Sequence, residues 1–134
     1  PFVKQKGAYT VMMRKPIIFI KRDLHPAVRS IVLAHELGHH FLHRQEAMQG
    51  GGFQEFNLFD MQNNQMEYEA NVFAAQLKLP DEDVLECVYN GYDIAATARA
   101  LHSDINLVAL KIAELNRRGY QLREQEYRNK FLKS

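Results

Sequence analysis

Residues 31–43 read Ile-Val-Leu-Ala-His-Glu-Leu-Gly-His-His-Phe-Leu-His, and this stretch decides how the rest of the chain is interpreted. Its apolar start predicts a helix over Ile31–Leu42 with one side facing the core. His35 and His39 lie four residues apart, so a helix places both imidazoles on one face, where they can bind one metal ion beside Glu36. The alternative is that both histidines are solvated or capped on a surface helix. Because a buried ionisable trio is costly unless it is paired or binds metal, the pattern favours a zinc site.

The third ligand is not contained in this helix. A catalytic zinc ion needs three protein ligands and one exchangeable water. The extended metzincin pattern requires glycine and histidine where this chain has Leu42 and Gln45, so that class is excluded. His43, and still more His40, is a weaker alternative, because three ligands on one straight helix do not easily reach one tetrahedral ion. A carboxylate from a second helix is the remaining common solution, giving a His₂Glu site.

The second helix is predicted over Met66–Pro80. Four apolar residues fall at helical spacing along it: Ala70, Phe73, Ala74 and Leu77. Glu67 lies on this inward stripe and is the favoured ligand, and Asn71 one turn later could hydrogen-bond a metal ligand. Glu69 lies on a different face and is the alternative ligand. Both acids would also suit an ordinary position in the first turn, which the helix dipole favours.

The two segments together resemble a known family. HELGHH at 35–40, followed by E-x-E-A-N-x-F-A-A-x-L-x-x-P at 67–80, is similar to the signature of the ImmA/IrrE metallopeptidases. The chain departs from that signature in reading Leu77-Lys78-Leu79-Pro80 where the family has Leu-Leu-Met-Pro, and Lys78 is expected on the solvent side. The resemblance implies that His35, His39 and Glu67 are the zinc ligands and that Glu36 is the general base.

The chemistry expected of such a site is peptide hydrolysis. Zinc lowers the pKa of its bound water to about 7 and polarises the scissile carbonyl. Glu36 then accepts the proton of the water and passes it to the leaving amine. A further donor to the oxyanion is expected, and the candidates are His43, His40, Tyr68 and Tyr92. Mn²⁺ or Fe²⁺ could replace Zn²⁺ in a His₂Glu set.

Two strands precede the metal helix in the predicted fold. Ala8–Met13 and Ile17–Ile20 are rich in β-branched and aromatic residues, and Arg14-Lys15-Pro16 between them predicts a hairpin turn. Three large residues of this hairpin are assigned to the core: Met12, Met13 and Phe19. The expected fold class is α+β, a small zincin-like domain of the gluzincin type, with the hairpin packed on the HExxH helix.

The remainder of the chain is predicted to be helical. Segments Tyr92–His102 and Asp104–Asn116 form two helices with helix-turn-helix-like character, a feature that the family often has here. The predicted organisation is a metallopeptidase domain over residues 1–90 and a helical C-terminal subdomain over 91–134, which could be integral to the same domain. Direct DNA binding is weakly supported, because Lys111 is the only basic residue in the sequence of the Asp104–Asn116 segment. The net charge of +4 over residues 117–134 suits a solvated tail.

Composition restricts the setting without naming a function. A chain of 134 residues that is 46% hydrophobic can bury one core, and no apolar stretch is long enough to span a membrane. The single cysteine, Cys87, in a helix predicted over Asp81–Tyr89, excludes an internal disulfide and suits the cytoplasm. Residues 45–65, with a glycine triplet and several phenylalanines, are either a lid over the site or a flexible insertion. The chain could be a fragment, because the family usually has a helical segment before the sheet.

Two functional hypotheses remain. The first is a zinc endopeptidase whose substrate, by family resemblance, is a helix-turn-helix repressor of a mobile element. The second is a regulatory or antitoxin-like module that keeps the zincin fold but acts by binding protein or DNA. Glu36 favours the first, because a module that only binds has no need of a general base.

Overall fold

The computed structural model describes residues 6–50 and 61–123. These residues form an antiparallel hairpin followed by five helices, so the α+β prediction is confirmed. The elements are β1 (Gly7–Met12), β2 (Lys15–Ile20), α1 (Pro26–Gly50), α2 (Met61–Lys78), α3 (Asp81–Tyr89), α4 (Ile94–Ala100) and α5 (Ile105–Arg117). None of the helices within the described ranges is both long and apolar enough to cross a bilayer.

The hairpin turn differs from the prediction. Strands β1 and β2 pair from Gly7 with Ile20 to Met12 with Lys15, so the turn consists of Met13 and Arg14. Both turn residues have positive φ, 51° and 67°, as a two-residue turn that follows the strand twist requires. The predicted turn at Arg14-Lys15-Pro16 was wrong because Pro16 lies inside β2. In this two-stranded sheet β2 is an edge strand, where a proline is tolerated.

Several large apolar side chains are exposed, including Met12, Met13 and Phe19, which were assigned to the core. Met13 is 93% exposed at the turn tip, and the others are Met12, Phe19, Leu33 and Leu77. The core assignments of Met12, Met13 and Phe19 were wrong because burial in the hairpin is confined to the first four residues of β1, Gly7–Thr10. Met12 and Met13 lie at the turn end, and Phe19 lies in β2, which has no fully buried residue. Leu33 and Leu77 lie on the outer sides of α1 and α2. Helical spacing identifies an apolar stripe but not its edges.

Both motif helices are longer than the sequence predicted. Helix α1 continues to Gly50, but His43 has non-helical φ/ψ of −130° and 23°, so the predicted end at Leu42 coincides with a kink. Helix α2 begins at Met61 instead of Met66. The flanks of the predicted lid at 45–50 and 61–65 are therefore helical, and its centre at 51–60 lies outside the described residues.

Gly38 allows α1 and α2 to pack closely. A Cβ at Gly38 would lie 3.0 Å from the Cβ of Phe73 and 3.1 Å from the Cα of Ala70. Backbone atoms of α2 cannot move aside independently of the helix. The contact therefore sets the distance between the two helices that carry the candidate site.

We expect Gly38→Ala to destabilise the protein by about 1 kcal/mol. The added methyl group overpacks the interface by about 1–3 kcal/mol, and the better helix propensity of alanine offsets about 1 kcal/mol of that loss. Denaturant unfolding of the metal-free protein measures the difference. An increase in stability would show that α2 moves at no cost and would contradict the packing role.

The main hydrophobic core is formed by α1, α2, α4 and α5 with the start of α3. Its buried members include Val32 and Ala34 of α1, Ala74 of α2, and Leu107 and Leu110 of α5. Core residues lie on both sides of position 90. The domain boundary at that position stays a prediction.

A buried lysine links the C-terminal helices to α2. Lys111 of α5 is 1% exposed, and its Nζ donates to Gln76 Oε1 and, at 2.5 Å, to Asp81 Oδ1. Arg118 donates to both oxygens of Asp81 at 2.9 Å. The hydrogen bonds from Arg118 and Lys111 hold the pKa of Asp81 well below its ordinary value. Lys111 thus connects α5 to Gln76 and Asp81 inside the protein and is not exposed on the surface.

This cluster predicts a pH-dependent contribution to stability. The pKa of Asp81 is depressed in the folded protein, so its contribution is fully present above the unfolded value near 4 and is lost as pH falls through the acid range. We expect Asp81→Asn to destabilise the protein at neutral pH, with the difference from wild type shrinking below about pH 4. Urea unfolding of both proteins across pH tests this. A difference that does not change with pH would contradict it.

Candidate metal centre

Three buried side chains of α1 form the centre of the candidate site. His35, Glu36 and His39 are each 0% exposed, and one possible ligand atom from each lies within 4.8 Å of the others. The rings of His35 and His39 meet edge to face with centroids 4.9 Å apart, as four-residue spacing on a helix dictates. The motif therefore lies in the protein interior, which argues against two solvated surface histidines.

Glu67 of α2 contacts both imidazoles. Its Oε1 lies 3.2 Å from Nε2 of His35, and its Oε2 lies 2.8 Å from Nε2 of His39. Glu67 is 5% exposed, on the inward side of α2 as its spacing predicted. Two imidazole nitrogens and one carboxylate from two helices thus converge on one point.

Glu69, the alternative ligand, lies elsewhere. Its side chain is 43% exposed, and its Oε1 lies 2.7 Å from Nε2 of His43. Nδ1 of His43 lies 2.9 Å from Nδ1 of His39. His43 therefore contacts the outer nitrogen of His39, not the Nε2 that faces Glu67, and Glu69 lies one ring further out.

Asn71 orients His35 from behind. Its Oδ1 lies 2.8 Å from Nδ1 of His35, and both residues are fully buried. An amide oxygen only accepts, so Nδ1 of His35 carries the hydrogen. In the neutral ring the lone pair is then on Nε2, which is the nitrogen that faces Glu67. Outer hydrogen bonds of this kind orient histidine ligands in metal sites.

The charges of the site are strongly coupled. Burial alone would raise the pKa of Glu67, but hydrogen bonds from His35 and His39 outweigh it and hold the pKa well below its ordinary value. Burial lowers the pKa of His39 to about 4, whereas the hydrogen bond and charge of Glu67 outweigh burial and raise the pKa of His35. The site thus holds an ionised carboxylate beside one histidine, His39, that is neutral near pH 7, as metal ligation requires. The raised pKa of His35 means that a proton competes with a metal ion for its Nε2.

Strand β1 begins directly beside the general-base candidate. A Cβ at Gly7 would lie 3.2 Å from Oε2 of Glu36, 2.9 Å from the carbonyl oxygen of Phe19 and 2.7 Å from Cγ1 of Val32. A larger residue would therefore push β1 away from α1. The strand predicted from the sequence began at Ala8 and did not include Gly7, although a glycine next to a strand pattern is a signal of close backbone approach.

The four candidates for the oxyanion donor lie in different surroundings. Nδ1 of His40 lies 2.9 Å from the hydroxyl of Tyr9 in β1. The hydroxyl of Tyr68 donates to Glu114 at 2.5 Å and so faces α5. Tyr92 precedes α4 and is 47% exposed, and His43 lies between His39 and Glu69. The identity of the donor stays a prediction.

Comparison with known proteins gives a family and one informative relative. Residues 1–115 match the family model described as the IrrE N-terminal-like domain, Peptidase M78. The "Uncharacterized immunity region protein 2" of Bacillus phage phi105 is 39% identical over 75 residues, which is 56% of this chain and 45% of that protein. The matched region therefore spans less than half of the phage protein. No solved structure matches the chain significantly.

The family model covers both motif helices, the hairpin before them and most of α5. This agrees with the resemblance inferred from HELGHH and the α2 signature, and the phage relative is consistent with it. The chain belongs to the IrrE N-terminal-like domain family, Peptidase M78.

Proposed function

We propose that this chain is a zinc-dependent endopeptidase with a zincin-like, gluzincin-type site, in which His35, His39 and Glu67 hold the ion. The observation that carries the proposal is the convergence of two imidazole Nε2 atoms on one carboxylate, at 2.8 and 3.2 Å. Zinc bonds of about 2.0–2.1 Å in a tetrahedron imply ligand separations of about 3.3 Å, so the donor set fits the ion with little movement.

The donor set also supports the choice of metal. Two imidazoles and one carboxylate suit Zn²⁺, and Mn²⁺ or Fe²⁺ could occupy the same ligands. When bound, the ion supplies Lewis acidity for the scissile carbonyl and lowers the pKa of a coordinated water. Asn71 holds the ring of His35 with its Nε2 lone pair toward the site.

Glu36 is the general base in this proposal. Its carboxylate is fully buried beside both histidines, whereas Glu67 accounts for the direct contacts to their Nε2 atoms. A carboxylate oxygen of Glu36 would accept a proton from the attacking water and deliver it to the nitrogen of the leaving amine. Gly7 supports this role because it lets β1 reach the carboxylate and limit its solvation.

We propose a repressor of a mobile element as the substrate. The proposal is supported by the family resemblance and by the phage relative, whose name places it in an immunity region. A cytoplasmic location follows from this substrate and belongs to the proposal. Direct DNA binding through α4 and α5 finds less support, because Lys111 in the middle of α5 is buried and tied to Asp81.

The test is to incubate the zinc-loaded protein with the repressor encoded beside it and to look for discrete fragments by mass spectrometry. We expect cleavage by the wild type and none after removal of the metal with a chelator, with cleavage restored by added zinc. A repressor that stays intact with fully zinc-loaded protein would favour the non-proteolytic, antitoxin-like alternative.

A further inference from the structure

A second histidine and carboxylate pair lies behind the candidate ligands, and it includes neither a proposed ligand nor the proposed general base. His43 is 3% exposed, and its ring lies between Nδ1 of His39 and the carboxylate of Glu69. Nε2 of Gln65 lies 3.2 Å from the second oxygen of Glu69, so that carboxylate is itself held in place. A chain of contacts therefore runs from His39 to the surface.

The direction of these hydrogen bonds follows from the chemistry of the groups. An ionised carboxylate only accepts, so the 2.7 Å contact with Glu69 requires the hydrogen of neutral His43 on its Nε2. The lone pair of His43 is then on Nδ1, and the 2.9 Å contact requires His39 to donate from its own Nδ1. When a metal ion binds Nε2 of His39 in place of the hydrogen bond to Glu67, the neutral ring carries its hydrogen on Nδ1, as this arrangement requires.

The backbone of α1 is adapted to this arrangement. The kink of the helix falls at His43, where φ/ψ leaves the helical region. The rings of His39 and His43 are tilted by 52° with centroids 5.1 Å apart. Helix kinks have local causes, and here the irregular residue is the one whose side chain joins His39 to Glu69 of the neighbouring helix.

We infer that His43 and Glu69 are positioning residues that fix the tautomer and ring orientation of His39 for metal binding. The inference rests on the proposed metal site. Asn71 orients His35 in the same way, through its amide oxygen. His39 is oriented by the imidazole of His43, and the carboxylate of Glu69 sets the tautomer of His43. The two ligands of α1 thus present the same nitrogen for different reasons.

The first test reads the tautomers directly in the unaltered protein. Long-range ¹⁵N–¹H NMR correlations of the zinc-loaded wild type distinguish the two neutral forms of each imidazole. We expect His43 with its hydrogen on Nε2, and His39 with its hydrogen on Nδ1 and Nε2 bound to the metal. His43 with its hydrogen on Nδ1 would overturn the inference, because it could not then accept from His39.

The second test compares zinc affinities by chelator competition. His43→Phe keeps a ring but removes the acceptor, and we expect zinc affinity to fall about 10- to 100-fold, the usual effect of losing an outer hydrogen bond. His43→Asn places an amide oxygen near the lost Nδ1 and should recover most of the affinity. The matched control is His40→Phe, which alters the neighbouring histidine that contacts Tyr9, and its affinity should stay at the wild-type value.

The outcomes separate this inference from the metal site itself. Wild-type protein that binds no zinc would contradict the proposed function. Tight binding by wild type and by His43→Phe alike would overturn the positioning role alone. Equal losses in His43→Phe and His40→Phe would also overturn it, because they would indicate a general effect on α1. Thermal unfolding of each metal-free variant shows whether a loss of affinity reflects a loss of fold.

Discussion

Replacement of Glu36 by Gln is expected to remove peptidase activity while leaving zinc affinity unchanged. Glutamine keeps the size and the buried position of Glu36 but cannot accept a proton at its amide. General-base catalysis contributes about 10²–10⁴-fold, so cleavage of the repressor should fall by at least that factor. The measurement is the rate of fragment formation by the zinc-loaded variant, with bound zinc determined in the same sample.

The matched control for this variant is Glu46→Gln on the same helix. Glu46 is half-buried and lies beyond the kink at His43, so its replacement changes the charge of α1 by the same amount at a distance from the site. We expect its cleavage rate to equal that of the wild type. Full activity of Glu36→Gln would show that Glu36 is not the base, whereas loss of zinc from that variant would assign Glu36 to the ligand set.

Among substitutions on α2, replacement of Glu67 by Ala is expected to lower zinc affinity the most. Apparent zinc-binding free energies of about 10–16 kcal/mol are shared among three or four ligands, so removal of one should weaken binding on the order of a thousandfold. The methyl group also leaves the Nε2 atoms of His35 and His39 without the carboxylate that both contact. Chelator competition and zinc content after dialysis measure the effect.

Glu69→Ala provides the comparison for Glu67→Ala. Glu69 reaches the ligand set through His43, so we expect its removal to weaken zinc binding by no more than about tenfold. If Glu67→Ala keeps full zinc occupancy while Glu69→Ala loses it, the assignment of the third ligand is wrong. Both variants lie on α2 and remove one negative charge, which makes the comparison independent of net charge.

The sequence predicted those features of the site that depend on local helical geometry. Four-residue spacing between His35 and His39 and the inward position of Glu67 follow from the helix period, and the structure places all three side chains at one point. Asn71 was predicted one turn after Glu67 for the same reason, and it contacts His35. Two amphipathic helices that share a core must face each other, so contact between the two motif helices could be predicted from the sequence.

Features that depend on tertiary contacts were not predicted. A histidine does not by itself indicate a helix kink, so the kink at His43 could not be predicted from the sequence. The contact between His43 and Glu69 depends on how α1 and α2 are positioned relative to each other. The exposure of Met13 follows from the choice of a two-residue turn, which strand pairing selects over the turn suggested by Pro16. The burial of Lys111 was not predicted because its partner, Asp81, is thirty positions away in the chain.

The central claim is that His35, His39 and Glu67 hold one metal ion, and anomalous X-ray scattering at the zinc edge from crystals of the zinc-loaded protein tests it most directly. The account predicts one anomalous peak, bonded to Nε2 of both histidines and to the carboxylate of Glu67 at about 2.0–2.2 Å. A peak bonded to His43 or Glu69, or no peak between the two helices in protein that retains zinc, would contradict it.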